Sequence, residues 1–168
     1  KKHRLERRDA PSMWCSECRT GIAQVEIKDK EINSTFNNLV FKVDEKDLEI
    51  ATTRPELLPA CVALFYNPSD KRYQKFKGKK ARVPLFNFEV PILEDKRPDP
   101  EKGTGMVMCC TFGDQTDMEW QKAYNFPIKE AITRDGRMTE LAGKFKGQKI
   151  KEARKNIIEE LKKHKLLT

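Results

Sequence analysis

The sequence predicts a mainly β fold of the α+β class, in which short strands form a barrel or a sandwich and helices lie at its edge. Short apolar stretches with strand-like alternation recur along most of the chain, and clusters rich in Pro, Gly and Asp separate them. Helical spacing is confined to a stretch near residue 120 and to the end of the chain. Strands and helices therefore do not alternate as they do in βαβ folds.

Most of the predicted strands lie in the first half of the chain. Alternation or a short apolar run predicts them at 20–32, 34–43, 47–53 and within 52–68. A polar turn, DEKD, joins the second strand to the third. The sequence KRYQKFKGKK at 71–80 predicts a cationic loop or a short helix.

The second half combines strands, turns and both helices. Prolines place 81–93 at the edges or bends of a sheet, and 94–105 is rich in turn-forming residues. The apolar run 106–112 predicts a buried strand, and 131–138 a strand that leads into a turn. Helices are expected at 117–126, capped by Asp114, and at 149–167, where Ile150, Ala153, Ile157 and Leu161 share one face.

Charge is unevenly distributed along the 168 residues, whose net charge is +8. The whole excess lies at the two ends, because residues 11–145 hold 21 basic and 21 acidic side chains. Such ends can contact phosphate, or can simply keep a helix solvated. Neither a long apolar span nor a signal-peptide pattern is present, which predicts a soluble, cytoplasmic protein with no membrane partner.

Histidine is too scarce to support a familiar catalytic dyad. His3 and His164 both lie in the basic ends, which argues against a Ser-His or Cys-His pair and against a His-rich metal centre. Cys61, Cys109 and Cys110 lie in apolar runs and are expected to be small buried residues in a reducing compartment.

The sequence WCSEC carries a CxxC pair, Cys15 and Cys18, with the spacing of half a zinc site. The sequence contains no second pair, so the other ligands are expected on a part of the protein outside this chain, or else the pair is incidental. A thioredoxin-like redox role is disfavoured because no βαβ unit surrounds it.

Two stretches could carry chemistry. In GTGMVMCCTFGDQTDMEW, Asp114 and Asp117 come directly after a buried strand and begin a helix. Acids at a helix start are often only structural, but a carboxylate at such a junction can also face a cleft and bind an ammonium group. In TTRPE (52–56), hydroxyls, freed amides and a guanidinium could hold a polar ligand, although a simple turn would have the same composition.

The order and spacing of four motifs resemble the editing insertion of class I aminoacyl-tRNA synthetases. The motifs are WCSEC with TGIAQVEI, then ATTRPELLPACVA, then GTGMVMCCTFGDQTDMEW, then TRDGRM with EARK, and they span about residues 14–167. The wording of the second and fourth motifs favours the valyl branch of the archaeal kind over the isoleucyl and leucyl branches.

The resemblance implies a compact β-barrel with peripheral helices that hydrolyses wrongly attached amino acids. The synthetic site of valyl enzymes is the standard example of weak discrimination against near-isosteric threonine. The implied substrate is thus threonine on the 3′ CCA end of tRNA(Val), with threonyl-adenylate as a second form of the same error. The expected partners are this tRNA and the rest of an ATP-dependent parent ligase, and the chain itself is expected to be a monomer.

The resemblance also implies roles for individual residues. Asp117, Thr52 and Thr53 are the expected catalytic residues, and Asp117 holds the α-ammonium group. The expected substrate-binding residues are Arg54, Pro55, Glu56, Gly103, Thr104, Met108 and Asp114. The chain departs from bacterial valyl enzymes at Leu57, Met108 and Gly113, where those enzymes carry threonine, lysine and histidine. Editing needs no cofactor, and a structural zinc on Cys15 and Cys18 is implied only for the full-length enzyme.

Three predicted parts follow from this comparison: a basic lead-in with the orphan CxxC pair (1–24), the β-barrel (25–146), and a C-terminal helix that returns toward the parent enzyme (147–168). Two other functions stay open at this point. The basic ends suit a non-catalytic tRNA-binding module, and the CxxC pair suits a zinc-ribbon interaction domain.

Overall fold

The computed structural model describes residues 11–28, 31 and 33–168. The predictions for the basic lead-in at 1–10, for His3, and for residues 29, 30 and 32 of the first expected strand lie outside the described residues.

Eight strands and two α-helices make up the regular structure of the described residues. The strands are β1 (Trp14–Cys15), β2 (Thr20–Gly21), β3 (Asn37–Val43), β4 (Lys46–Thr52), β5 (Ala63–Tyr66), β6 (Lys80–Arg82), β7 (Glu89–Glu94) and β8 (Met106–Cys109). The helices are α1 (Gln115–Tyr124) and α2 (Ile150–Lys163). Short 3₁₀ helices lie at Gln24–Glu26, Pro55–Ala60, Gln74–Phe76 and Glu140–Phe145.

Six of the strands form one sheet in the order β4-β3-β6-β7-β5-β8, in which β5 and β7 are parallel and the other pairs antiparallel. The sheet curls until its first and last strands approach each other. The amide of Ala51 in β4 donates to Oγ1 of Thr104, just before β8, at 3.4 Å. A Cβ on Gly103, whose φ is +60°, would lie 2.9 Å from Cβ of Ala51. This close approach nearly closes the sheet, which confirms the predicted β-barrel.

The main core fills the barrel and extends under α2. Leu39, Phe41 and Val43 alternate inward on β3, as the period of a strand requires. Ala153, Ile157 and Leu161 form the buried face of α2, which confirms three of the four residues predicted for that stripe; Ile150 is partly exposed.

A second core cluster lies on the other face of β5 and β8 and holds α1. Its centre is Trp120 of α1, whose ring stacks on Phe65 with 4.2 Å between ring centroids. Ala63 and Phe65 of β5 face this cluster, while Leu64 and Tyr66 face the main core. β5 is therefore buried on both faces, which accounts for its uninterrupted apolar run.

The strand predicted at 20–32 is wrong for its described part beyond Gly21. The chain instead forms a 3₁₀ turn at Gln24–Glu26, in which Oε2 of Glu26 accepts from the amide of Ala23 at 2.7 Å. Val25 is 90% exposed, so no second layer covers the apolar positions of the alternating pattern. Alternation without a partner surface does not make a strand.

Two other predictions needed adjustment. The segment 131–138 has only an isolated bridge between Ile132 and Met138, because Oγ1 of Thr133 bonds to the backbone of Arg137 and tightens the loop. Pro91 lies within an interior strand, β7, and not at an edge. It is tolerated because β7 changes partner there: residues 89–91 pair with β6, and residues 92–94 pair with β5.

A buried ion pair joins α2 to the TTRPE segment. Glu56 has no exposed surface, and its carboxylate accepts from Nε and Nη2 of Arg154 at 2.8 and 2.6 Å. Nε of Arg54 approaches the same carboxylate at 3.4 Å. The two partners are 98 residues apart in sequence, so this contact fixes the end of the chain to the barrel.

Arg154→Leu is expected to lower the free energy of unfolding by about 3 kcal/mol, because it leaves a fully buried carboxylate without its two-bond partner. Lys155→Leu is the matched control on the solvent side of the same helix, where the lysine side chain is 78% exposed, and it should change stability by less than about 0.5 kcal/mol. Urea denaturation of both variants measures the difference. Equal effects would contradict the role given to Glu56.

Candidate functional site

A cavity of about 480 Å³ opens where β4 ends, beside β8 and the start of α1. Six of the sequence-predicted site residues line it: Thr52, Thr53, Arg54, Met108, Asp114 and Asp117. Segments more than 50 residues apart in sequence are thus brought to one wall. The barrel closure is responsible, because it brings the end of β4 next to β8.

Asp114 and Asp117 begin α1 and have different environments. Oδ1 of Asp114 accepts from the amide of Asp117 at 2.9 Å, which confirms Asp114 as the predicted N-cap. Asp117 is only 5% exposed. Burial raises its pKa to about 6, and the negative charge of Asp114 adds to this shift.

Hydrogen bonds partly offset the burial of Asp117. The backbone at Cys110 and Gly113 and the thiol of Cys109 bond to its carboxylate and favour the ionised form. Even with its raised pKa, Asp117 is mostly ionised at pH 7. It is a buried anion at the wall of the cavity, able to hold a cationic group of a ligand.

The Thr52-Thr53-Arg54 segment forms another part of the wall. Thr52 ends β4, and its Oγ1 accepts from the amide of Arg54 at 3.1 Å. Nη1 of Arg54 donates to the carbonyl of Gly113 at 2.7 Å, which ties this segment to the loop that carries Asp114. The hydroxyls and the rest of the guanidinium can donate hydrogen bonds to oxygen atoms of a ligand.

Four residues predicted to bind substrate lie away from the cavity wall. Pro55 and Glu56 are buried in the 3₁₀ helix after the strand, and Glu56 is occupied by two arginines. Gly103 and Thr104 serve the barrel closure described above, and Thr104 also bonds to the carbonyl of Met106 at 3.5 Å. Their observed contacts are therefore structural.

The sequence analysis did not predict several of the residues that line the cavity. Phe36, Arg97, Lys102, Thr116 and Trp120 also line the wall. Phe36 is 51% exposed. Trp120 lies three residues after Asp117 on α1, so helical spacing could have found it. Phe36 follows from the β3–β4 hairpin, which pairs Asn37 with Thr52, whereas no local pattern pointed to Arg97.

Trp120 has an unusual polar group at this wall. Among the residues that the structure describes, its indole Nε1 is the buried side-chain polar atom without a hydrogen-bond partner. Buried donors are normally paired, so this unpaired N–H lowers the stability of the fold.

The CxxC pair lies on the β1–β2 hairpin, away from the cavity. The amide of Cys18 donates to Sγ of Cys15 at 3.3 Å, and this bond lowers the pKa of the Cys15 thiol. The indole of Trp14 anchors the hairpin through the carbonyl of Arg134 at 2.8 Å. Two adjacent thiols fit half of a tetrahedral zinc site, but the described residues contain no group of three or more ligating side chains.

Comparison with known proteins identifies the family. The chain is 50% identical over 160 residues to a valine–tRNA ligase of Methanothrix thermoacetophila, a match that covers 95% of this chain and 19% of the relative. It is 47% identical to that of Haloarcula marismortui, over 93% and 18% of the two chains, and 50% identical to that of Rickettsia conorii, over 99% and 21%. No protein-family model matches. The chain is homologous to one segment of the valine–tRNA ligases.

This segment spans about a fifth of the length of the curated valine–tRNA ligases that it matches. A solved structure shares its fold: the LeuRS agnB2 of Agrobacterium radiobacter K84, in a ternary complex with tRNA and LeuAMS. The TM-score is 0.61 at 19% identity, over 82% of this chain and 20% of the other. The sequence matches confirm the resemblance to the valyl branch of the class I synthetases, and the solved structure confirms the fold.

The valine–tRNA ligase segment has, in its described residues, no helix that is long and apolar enough to cross a membrane.

Asp117→Asn in this segment is expected to raise the free energy of unfolding at pH 7. Folding raises the pKa of this carboxyl from 3.8 to about 6, so its contribution to stability is complete below about pH 4 and is lost as pH rises through 6. Asparagine does not ionise, so the variant should gain up to about 3 kcal/mol at pH 7 and less at lower pH.

Denaturant unfolding from pH 4 to 8 measures this gap. Asp135→Asn is the control, and it should change the free energy of unfolding in the opposite direction. The reason is that a hydrogen bond from Thr133 lowers the pKa of Asp135. A gap between Asp117→Asn and the parent that does not vary with pH would contradict the burial of an ionisable Asp117.

Proposed function

We propose that this chain is the editing domain of a valine–tRNA ligase and hydrolyses the ester that joins threonine to the 3′-terminal adenosine of tRNA(Val). The observation that carries the proposal is a cavity whose wall combines hydroxyl and guanidinium donors with a buried carboxylate. An aminoacyl ester presents an ammonium group and several oxygen atoms, so its charges match this wall.

Asp117 is the proposed anchor for the α-ammonium group. A cation within a few ångströms stabilises a carboxylate, so substrate binding lowers a pKa that burial has raised to about 6. The α-ammonium group of the substrate thereby supplies a positive charge to pair with the Asp117 carboxylate. This favours aminoacyl esters over deacylated tRNA, which carries no ammonium group.

Discrimination against valine follows from the polar lining. The hydroxyl of threonine can bond to Thr52, Thr53 or Thr116. Valine has the same shape but offers no hydrogen bond, so binding it desolvates these groups without replacement. A cavity with these hydrogen-bonding groups can therefore reject valine, the correct amino acid. A hydrophobic pocket cannot distinguish valine from threonine in this way.

Hydrolysis requires an ordered water and a base. The water oxygen attacks the ester carbonyl, the C–O bond to the ribose breaks, and the released ribose oxygen takes up a proton. No histidine lines the described cavity wall, so the proposed base is the neighbouring free ribose hydroxyl acting through the water. Thr52 and Thr53 bind the carbonyl region or the ribose, and positioning supplies most of the rate.

The mouth of the cavity suits the end of an RNA strand. Phe36 offers a half-exposed aromatic ring, and Arg97 and Lys102 line the same wall. Bases stack on exposed aromatic rings regardless of sequence, and cationic side chains attract the phosphates. The terminal adenine is proposed to stack on Phe36.

Cys15 and Cys18 are proposed to complete a structural zinc site with ligands from the rest of the enzyme.

Deacylation assays with radiolabelled threonyl-tRNA(Val), valyl-tRNA(Val) and isoleucyl-tRNA(Ile) test this function at micromolar protein. Selective release of threonine is the expected result. Binding of tRNA with a steep salt dependence but with no release of any amino acid would instead support a non-catalytic tRNA-binding module.

Asp117→Ala is expected to abolish threonine release by removing the ammonium anchor, while the fold persists because the amide of residue 117 still bonds to the Asp114 cap. The matched control, Asp135→Ala, removes an exposed carboxylate of the 133–137 loop and should leave the rate unchanged. Rates from single-turnover assays decide the matter. Full activity in Asp117→Ala would rule out the proposed anchor.

Phe36→Ala is expected to raise KM for threonyl-tRNA(Val) about tenfold with little change in kcat, because a stacked base contributes roughly 1–3 kcal/mol. Phe36→Tyr should retain the parent KM. Val25→Ala, which shortens another exposed apolar side chain outside the cavity, serves as control. Equal KM values for all four proteins would refute stacking at Phe36.

A further inference from the structure

Gly113 lies where the loop after β8 passes Asp117, and a side chain at this position would meet the Asp117 carboxylate. A Cβ built on Gly113 would lie 2.3 Å from Oδ2 of Asp117 and 3.3 Å from Cδ1 of Leu57. The first distance is far inside van der Waals contact. Gly113 does not have a positive φ, so the backbone conformation alone would accept any residue. A side chain here would therefore displace the Asp117 carboxylate, which is the end of a flexible side chain.

The loop itself is held on both sides of this contact. Arg54 donates to the carbonyl of Gly113 at 2.7 Å, and Arg54 is in turn held near buried Glu56. The next residue, Asp114, caps α1 through the amide of Asp117. Because the backbone is fixed in this way, a side chain at position 113 would move the carboxylate and not the loop.

We propose that Gly113 is a positioning residue, whose missing side chain lets the Asp117 carboxylate rest against the loop at the floor of the cavity. A side chain at this position displaces the carboxylate from the place where it meets the ammonium group. Gly113 thus sets the depth at which the ammonium group is held. This consequence for hydrolysis rests on the proposed editing function, whereas the positioning itself can be measured without tRNA.

The direct measurement is the titration of the Asp117 carboxyl carbon by ¹³C NMR in the parent chain and in Gly113→Ala. In the parent, the pKa of this group is about 6. A carboxylate driven into solvent should titrate nearer its ordinary range. The ionisable groups that act on it, Asp114, Cys109 and Cys110, are the same in both proteins. A purely structural glycine would leave this titration unchanged.

Gly21→Ala is the matched control for the same chemical change. Gly21 has no positive φ, and the nearest atom to an added Cβ is the carbonyl oxygen of Met13 at 3.9 Å. This control should keep both the Asp117 titration and the deacylation rate. Gly113→Ala should lose about a hundredfold in kcat/KM for threonyl-tRNA(Val), the size of effect that a misplaced binding group produces.

A double-mutant cycle keeps the inference testable if Gly113→Ala folds poorly. When Asp117→Ala has already removed the carboxylate, adding Gly113→Ala should leave the melting temperature unchanged. An equal loss of melting temperature in both backgrounds would overturn the inference, as would an unchanged Asp117 titration in folded Gly113→Ala. The pKa of Asp117 could change in Gly113→Ala although the parent chain releases no threonine. That result would support the positioning role of Gly113 and reject the editing function.

Discussion

Burial of the Glu56 carboxylate constrains much of the rest of the structure. A charge without solvent contact must be paired, and Glu56 meets this requirement with Arg154 of α2 and with Arg54, two residues before it. The first pairing fixes α2 to the barrel. The second orients Arg54, whose remaining hydrogen bond holds the carbonyl of Gly113. One carboxylate thus connects the end of the chain to the loop that carries both aspartates.

The site combines a rigid frame with a destabilised group. Asp117 is buried beside another carboxylate, Asp114, and both its burial and this neighbouring charge oppose its ionisation. A chain selected only for stability would replace it. An ionisable group in unfavourable surroundings is typical of binding and catalytic positions. The protein is less stable because of such a group, and a bound ligand then pairs with it. The unpaired indole N–H of Trp120 on the same helix also lowers the stability of the fold.

Local patterns in the sequence were enough for much of the fold. The alternating runs that became β3 and β4, the apolar run of β8, and the stripe on α2 all lie against the core, so pattern and burial agree. The Asp114 cap was predicted correctly because capping depends only on neighbouring residues. The alternating segment after Gly21 failed because nothing covers its apolar side chains.

The site itself was only partly predictable from the sequence. The segments that contain Thr52 and Asp117 were found by motif, and the structure brings them to one cavity. The part played by Glu56 depends on Arg154, 98 residues later, and no local pattern reports such a pairing. Phe36 lies at the cavity because β3 pairs with β4, which puts Asn37 opposite Thr52. The tight contact between Gly113 and Asp117 likewise depends on side-chain position in three dimensions.

The central claim is that Asp117 holds the ammonium group of a threonyl ester of adenosine. The most direct test is ¹³C NMR of the Asp117 carboxyl carbon during titration with a hydrolysis-resistant 3′-threonylamido analogue of adenosine, alongside its valyl counterpart. The account predicts that the threonyl analogue lowers the pKa of Asp117 and shifts its signal, and that the valyl analogue does so only at much higher concentration. Saturable binding of the threonyl analogue without any change at Asp117 would contradict it.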